Sequence, residues 1–276
     1  MSRRPRLLVC VVLAVAGCGD ADAGERARAR TTQTAMILAT TTSTRDSGLL
    51  DVLVPGFERA SKCRVKTLAV GSGAALTLGE RRDADVLLVH SPKAEESFVR
   101  RGHAASRRAV MHNDFVLVGP RADPARIAGA ADAPAALQRI ARARAPFASR
   151  GDESGTHAKE LDLWSKAGIT PRGAWYTETG QGMSETLTIA DQKQAYTLSD
   201  RGTFLVAMNV DAGLLVEGGA ELRNPYHVIV VRRDGGVQRC ASTFSTWITS
   251  PSVQRTISRF GVGRYGEPLF FPDAAG

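Results

Sequence analysis

Apolar residues in this chain alternate between two spacings, and this alternation restricts the possible folds more than any other feature. Short apolar runs at Met36–Ala39, Val65–Val70 and Asp85–Val89 are typical of buried strands. Between the first two runs, residues 49–57 repeat apolar side chains on one face of a helix, although Pro55 predicts a kink or a later helix start. Strands that alternate with amphipathic helices predict an α/β fold.

Two further strand-like runs divide the chain into unequal parts. They are Phe115–Val118, which follows Asn113-Asp114, and Val228–Val231, which lies just beyond Asn224-Pro225. The residues between the two runs have their own alternation of strands and helices. This layout predicts a second α/β unit inserted into the first, entered and left through two hinge-crossing strands.

The N-terminus has the composition of a secretion signal. Arg3, Arg4 and Arg6 precede the apolar stretch 7–16, and Val15-Ala16-Gly17-Cys18 resembles the cleavage site of lipoproteins. We therefore expect removal of residues 1–17 and attachment of lipid to Cys18. An uncleaved membrane anchor is the alternative, but the apolar stretch is about half of the roughly twenty residues that a spanning helix needs.

The chain of 276 residues is longer than a single hydrophobic core usually requires. The patterns above predict five segments. They are a signal peptide at 1–17, a tether at 18–35, the first part of lobe I at 36–115, lobe II at 116–226 and the second part of lobe I at 227–276.

The charge balance favours an anionic partner. The formal net charge is +8, and three of these charges lie in the signal, which leaves +5 on the mature chain. This excess suits an anionic ligand or an anionic membrane face. No dense run of Lys and Arg is interleaved with aromatic residues, so we expect no binding to nucleic acid.

Cysteines Cys63 and Cys240 are the two that would belong to the folded, secreted part. An oxidising compartment favours a disulfide between them, but their separation in sequence leaves two free thiols equally open. No Cys and His spacing resembles a metal site, and we expect no metal.

Three loops combine hydroxyl groups, glycines and one arginine. Thr40–Thr44 follows the first predicted strand, Gly71-Ser72-Gly73 follows the second, and Ser149–His157 precedes a predicted helix. Hydroxyls and free amides at a strand-to-helix turn suit an anion, and Arg150 adds a planar fork of donors. Each loop also has an ordinary interpretation: helix capping, a plain turn and a solvated surface loop. Asp152 is placed to hold the Arg150 guanidinium.

Two pairs of residues could suggest an enzyme. Ser154 with His157 suggests a nucleophile and a base, and His157 with Glu160 has the spacing of a helical metal pair. Neither pair is completed by a further motif. His90, at the end of the third predicted strand, is interpreted as a hydrogen-bonded structural residue. We therefore expect no catalytic residue.

With these motifs, the chain resembles the tungstate-binding component of tungstate-specific ABC transporters, a family with the type II periplasmic binding protein fold. The resemblance covers nearly the whole mature chain, and TTTS followed by SRGDESGTH is its specific part. The matching stretches are ATTTSTRDSGLLDVLVPGF (39–57), RDADVLLVHSPKAEESFV (82–99), MHNDFVLVGPRADP (111–124), SRGDESGTHAKELDLW (149–164), GQGMSETLTIADQKQAYTLSDRGTF (180–204) and GRYGEPLFFPDA (263–274).

The resemblance implies two α/β lobes that close around an anion. It implies oxyanion ligands from both lobes, namely Thr41, Thr42, Ser43, Arg150, Ser154, Gly155 and Thr156. Ser72, in the glycine loop after the second predicted strand, is a further candidate ligand. The family's usual Gly-Thr-Gly is Gly71-Ser72-Gly73 here, which keeps the hydroxyl. Arg82 and His227 also stand where the family usually has smaller residues.

The expected function is the capture of tungstate, or molybdate, and its delivery to the permease and ATPase of an ABC importer. The expected protein is a monomer without a cofactor, held in the periplasm or at the cell surface by its lipid. A phosphate receptor of the same fold is the alternative. Hydrogenphosphate needs a carboxylate that accepts its proton, whereas tungstate needs only donors, and a site of hydroxyls, amides and one Arg favours tungstate. A periplasmic hydrolase is the third reading.

Overall fold

The computed structural model describes residues 33–274. The predicted signal peptide, the lipid-bearing Cys18 and most of the tether lie outside these residues, so those expectations stay predictions. None of the described helices is both long and apolar enough to cross a membrane.

Residues on both sides of a long insertion form the first lobe, called lobe I. Its first part consists of β1 (Thr34–Thr41), α1 (Thr42–Asp46), α2 (Leu49–Ala60), β2 (Cys63–Val70), α3 (Ser72–Glu80), β3 (Val86–Val89), α4 (Pro92–Arg100) and the beginning of β4 (Ala104–Gly119). Its second part consists of β9 (Arg223–Val231), α9 (Gly235–Ile248), α10 (Pro251–Arg259), α11 (Val262–Tyr265) and β10 (Phe271–Pro272).

The insertion forms lobe II, which starts within β4. Its elements are α5 (Ala133–Ala143), β5 (Phe147–Ser149), α6 (Gly155–Lys166), β6 (Tyr176–Glu178), α7 (Met183–Gln192), β7 (Thr197–Asp200), α8 (Arg201–Val206), β8 (Gly213–Val216) and a 3-10 turn at Ala220–Leu222. The α/β fold predicted from the alternation of strands and helices is therefore confirmed.

Strand β4 is shared by both lobes. Residues 104–114 pair antiparallel with β9, whereas residues 115–119 pair with β7 and β8 of lobe II. In lobe I the strand order is β10-β4-β9-β3-β1-β2, in which β1 runs parallel to both β2 and β3. One continuous strand therefore carries the chain from one lobe into the other.

Each lobe has its own hydrophobic core. In lobe I, helix α2 buries Leu49, Leu53 and Phe57 against the sheet, and Phe57 meets Phe244 of α9 with ring centroids 5.0 Å apart. In lobe II, a separate cluster of buried residues that includes Trp164 and Phe147 forms the core. Separate cores are what two semi-independent lobes require.

Two details of the lobes differ from the sequence-based expectations. Helix α2 begins at Leu49 and continues through Pro55, so the later helix start was wrong. The apolar face of this helix lies in the core, and that burial outweighs the hydrogen bond that Pro55 cannot donate. By strand pairing, residues 223–226 belong with lobe I, whereas the sequence placed them in lobe II.

Cys63 and Cys240 form a disulfide, with their Cα atoms 5.9 Å apart. Cys63 begins β2 and Cys240 lies in α9, so both belong to lobe I. The bond therefore staples the two separated parts of lobe I without crossing to lobe II.

Candidate functional site

The loops that follow β1, β2 and β3 begin at the same edge of the lobe I sheet. Thr41 lies opposite Val70 on β2, and Thr40 lies opposite Leu88 on β3. Because these strands are parallel, the loop after each strand opens toward the same side. This edge holds the first and second of the predicted anion loops, and His90 follows β3 at the same place.

The first loop is the start of helix α1, and its hydroxyls have different tasks. Thr40 Oγ1 donates to the carbonyl of Leu88 at 2.8 Å, so this hydroxyl serves the sheet. Thr41 caps α1 by accepting from the Thr44 amide at 3.3 Å, and its hydroxyl is also 3.1 Å from Ser43 Oγ. Thr42 and Ser43 occupy the first two helical positions. Of the five hydroxyls in Thr40–Thr44, that of Thr40 is therefore engaged with the sheet, and that of Thr41 also caps the helix.

Arg150 follows β5 and is almost fully buried, with 3% of its surface exposed. Its Nε donates to the carbonyl of Gln181 at 2.8 Å, and its Nη2 contacts the Asp152 carboxylate. Nη1 donates to no residue within the range 33–274. The expectation that Asp152 holds the guanidinium is confirmed, and the remaining N–H groups of Arg150 stay available to an anion.

Helix α6 begins in this same loop. Ser154 is its N-cap and accepts from the His157 amide at 3.2 Å, while Asp152 Oδ1 accepts from the Ser154 amide, also at 3.2 Å. Gly155 and Thr156 are its first two helical residues, and their amides have no partner inside the helix. A helix of this length presents partial positive charge at that end.

The second and third loops touch across the cleft between the lobes. A Cβ added at Gly155 would lie 3.0 Å from Ser72 Oγ and 2.9 Å from His90 Cε1. A Cβ added at Gly71 would lie 3.4 Å from the Ser154 Cα. Any side chain larger than a hydrogen at position 155 would push against Ser72 and His90, so glycine is what lets the two loops come this close. The structure thus brings the predicted groups of both lobes together.

Glu160 lies beneath the Arg150 loop and was not predicted to have a role there. Its carboxylate accepts from the Arg150 amide at 3.3 Å, from Ser149 Oγ at 2.9 Å and from the Tyr176 hydroxyl at 2.7 Å. Burial raises the pKa of Glu160 to about 7, while these hydrogen bonds oppose the rise. The buried carboxyl fixes the backbone at the base of the anion loop.

The enzyme alternatives find no support in this geometry. The His157 imidazole accepts through Nδ1 from the Glu153 amide at 3.1 Å, so it does not face the Ser154 hydroxyl as a base would. Glu160 is occupied by the bonds just described. Within residues 33–274, no group of His, Cys, Asp and Glu is arranged to hold a metal ion.

Sequence reasoning gave no role to several residues of the cleft. Gln181 supplies the carbonyl that accepts from Arg150 Nε. Asn113, Asn224 and Tyr226 lie buried at the floor of the cleft. Gln181 belongs to the stretch GQGMSET, and the two asparagines precede the predicted strand-like runs 115–118 and 228–231. Their positions were visible in the sequence, but their partners are distant along the chain.

Two lobes that share a crossing strand and line a cleft with anion-binding groups define a solute-binding protein rather than an enzyme. Residues 26–252 match the family model described as a PBP superfamily domain. Among known proteins, the chain is 48% identical over 248 residues to the tungstate-binding protein TupA of Peptoclostridium acidaminophilum. The match covers 87% of this chain and 86% of that protein.

Solved structures agree with this assignment. A structure described as the tungstate ABC transporter from Geobacter sulfurreducens has 46% identity and a TM-score of 0.75, and the match covers 82% of this chain and 98% of that one. The tungstate-binding protein TupA from Desulfovibrio alaskensis G20 has 41% identity and a TM-score of 0.72, covering 88% and 100%. The chain belongs to the tungstate-binding protein family of ABC transporters.

Proposed function

We propose that this chain captures tungstate outside the cytoplasm, in the cleft between its lobes, and delivers it to an ABC importer. Its relatives from three organisms are named for tungstate. The proposed ligands are Thr41, Thr42, Ser43, Ser72, Arg150, Ser154, Gly155 and Thr156. The choice of tungstate over molybdate rests on those relatives, because the two anions have the same charge and nearly the same size.

The site offers an anion almost nothing except donors. The starts of α3 and α6, with their hydroxyls and amides, lie close together, and Arg150 just before α6 supplies the guanidinium. An oxyanion with four oxygens accepts from many such groups at once, and helix N-termini favour its negative charge. The arrangement therefore suits a small dianion without a bound cation.

The carboxylates beside the cleft bear on whether the site binds tungstate or phosphate. Asp152 accepts from Arg150 and from the Ser154 amide. Asp200 accepts from the Thr203 amide at 2.9 Å, from Thr203 Oγ1 at 2.7 Å and from Asn113 at 3.2 Å. Both carboxylates already accept from protein donors, so they are less available to the proton of hydrogenphosphate, and the surrounding donors favour a fully ionised anion.

Contacts between the lobes support closure around the anion. Lys93 of lobe I lies 3.0 Å from Asp162 of lobe II, and Ser184 Oγ lies 3.5 Å from Asp46. Ligand groups that come from both lobes hold the lobes together once an anion is bound. A permease then meets a different surface on the loaded protein than on the empty one.

Titration calorimetry with tungstate, molybdate, phosphate and sulfate tests this function. We expect tungstate to bind and phosphate to give no heat at the same concentrations. Small-angle scattering with tungstate should show a smaller particle, and the melting temperature should rise. Tighter binding of phosphate than of tungstate would overturn the proposal in favour of a phosphate receptor.

The proposal includes a lipid anchor on Cys18 and action as a monomer in the periplasm or at the cell surface. The lipoprotein-like cleavage site Val15-Ala16-Gly17-Cys18 and the short apolar stretch before it support the lipid anchor. Labelling with a radioactive fatty acid should mark the wild-type chain and leave Cys18→Ser unlabelled. An unlabelled wild-type chain recovered with the soluble fraction would contradict the anchor.

A further inference from the structure

Four buried side chains form a chain of hydrogen bonds at the floor of the cleft, which we call the hinge chain. It runs from Asp200 of lobe II through Asn113 on β4 and Asn224 on β9 to His90 of lobe I. Each of the four has at most 4% of its surface exposed. Asn113 and Asn224 stand directly at the crossing between the lobes, where β4 changes its partners.

The direction of every bond in the hinge chain is fixed from one end. The Thr203 amide can only donate, and it donates to Asp200 Oδ1, so that oxygen is an acceptor. Asn113 must therefore turn its Nδ2 toward Asp200, at 3.2 Å. Its Oδ1 then faces Asn224, which must supply Nδ2, at 2.7 Å.

The last bond of the chain fixes the tautomer of His90. Asn224 Oδ1 is left to face His90 Nδ1 at 2.9 Å, so this nitrogen must carry a proton. Burial lowers the pKa of His90, assisted by the charge of Arg150 and opposed by Asp200, Asn224 and Glu95. The ring is therefore neutral near pH 7.5, with its single proton on Nδ1.

The hinge chain supports both anion loops. The His90 ring lies directly against Gly155, at the start of α6. Tyr226 stacks on His90 with ring centroids 4.6 Å apart, and its hydroxyl lies 3.4 Å from Asn224 Nδ2. The same hydroxyl is close enough to Ser43 of the first loop for Ser43 to oppose the rise that burial causes in the Tyr226 pKa. One amide, that of Asn224, thus contacts the supports of both loops.

We propose that Asn224 is a positioning residue of the anion site, which sets the approach of the two loops by holding His90 under Gly155 and Tyr226 under Ser43. The inference rests on the proposed function, since anion affinity is what the positioning controls. Asn224 has no contact with the anion in this role. Its effect passes through His90 and Tyr226.

Nitrogen-15 NMR of the full chain in detergent, with labelled histidines, tests the bond directions without any substitution. The signal of His90 is identified by its loss in His90→Gln. We expect the neutral Nδ1–H tautomer at pH 7.5 in the wild-type protein. A neutral Nε2–H tautomer, or a protonated ring, would overturn the proposal, because the hinge chain would then be oriented otherwise.

Substitutions of Asn224 test the effect on affinity. In Asn224→Asp, the introduced carboxylate faces Asn113 Oδ1, and Asn113 cannot turn over without opposing Asp200 Oδ1. Asn224→Leu removes both amide bonds and adds no charge. We expect each variant to weaken tungstate binding about tenfold or more, because each leaves buried polar groups without partners. In Asn224→Leu, the Nε2–H tautomer of His90 should also appear.

Asn209→Asp is the matched control, because Asn209 is exposed and outside the hinge chain. We expect its tungstate affinity to stay within twofold of wild type. If Asn224→Asp weakens binding but Asn224→Leu does not, charge repulsion explains the loss and the proposal falls. It also falls if neither variant weakens binding. A wild-type protein that does not bind tungstate would refute the proposed function instead.

Discussion

The two lobes contribute different chemistry to one cleft. Lobe I offers neutral groups at the ends of parallel strands, namely the hydroxyls of Thr42, Ser43 and Ser72 with nearby amides. Lobe II offers the guanidinium of Arg150, held by Asp152 and resting on a loop anchored by buried Glu160. A disulfide, Cys63–Cys240, joins the two parts of lobe I and does not involve lobe II.

This difference separates affinity from stability. The charge that attracts a dianion comes from Arg150 of lobe II, so changes to that charge should act mainly on binding. Lobe I supplies shape and a covalent cross-link, so loss of that cross-link should act mainly on unfolding. Substitutions that affect both quantities equally would show that the lobes do not divide the work in this way.

Removal of the guanidinium should have the largest effect. A desolvated, charge-assisted contact with a dianion contributes on the order of 2–5 kcal/mol. Arg150→Ala should therefore lose most of the tungstate affinity measured by calorimetry, and Arg150→Lys should recover only part of it, because an ammonium lacks the planar fork. Wild-type affinity in Arg150→Ala would show that the site is assigned wrongly.

Loss of the disulfide should lower stability and leave binding intact. The double variant Cys63→Ser/Cys240→Ser should lose about 2–5 kcal/mol of unfolding free energy in urea titrations. Its tungstate affinity should stay within about twofold of wild type, since the bond lies inside lobe I and does not restrain closure. The unfolded, unreduced protein lacking residues 1–18 should show no free thiols, and two per chain would contradict the bond.

Glu160 predicts a dependence of stability on pH that belongs to lobe II. Its folded pKa, about 7, is higher than its ordinary value, so the folded protein keeps a proton that the unfolded chain has released. The stabilisation is full below about pH 4.5 and is lost as the pH rises toward 7, by about 1–3 kcal/mol. Urea titrations at pH 5 and 8 measure it, and Glu160→Gln should reduce the difference. An unchanged difference would assign it to other groups.

Gly155 and Gly71 sharpen the comparison at the point where the lobes meet. An added methyl at Gly155 conflicts with His90 and Ser72, whereas one at Gly71 makes ordinary contact with Ser154. Gly155→Ala should weaken tungstate binding about tenfold, a loss of about 1.4 kcal/mol, and Gly71→Ala should weaken it less. The melting temperature without ligand should change little in either variant. Equal affinities in the two variants would mean that this contact does not limit closure.

Local patterns in the sequence were enough for the architecture. The apolar spacing around Met36 and Leu49 predicted β1 and α2. Such elements depend on neighbours a few residues away, which a sequence displays directly. The later helix start expected from Pro55 was wrong because burial of the apolar helix face stabilises the helix through that residue. Burial is a property of the folded core, which the local sequence does not display.

The floor of the cleft was beyond such reasoning. Asn113 and Asn224 were both visible just before the predicted strand-like runs, but the bond between their side chains joins residues far apart in the chain. Tyr226 gave no signal of its own, and its contact with Ser43 depends on the register of β9. Motif resemblance supplied ligand roles for the loops but no role for these supports.

The shared strand has a consequence for how the protein is made. Strand β3 lies between β1 and β9 in the lobe I sheet, and β9 leaves the ribosome only after all of lobe II. Lobe II is continuous apart from its start in β4, so it can complete its core while lobe I still lacks a central strand. The Cys63–Cys240 bond can form only after α9 has emerged. The lobe whose synthesis begins first is therefore the last to finish folding, and the cleft is completed with it.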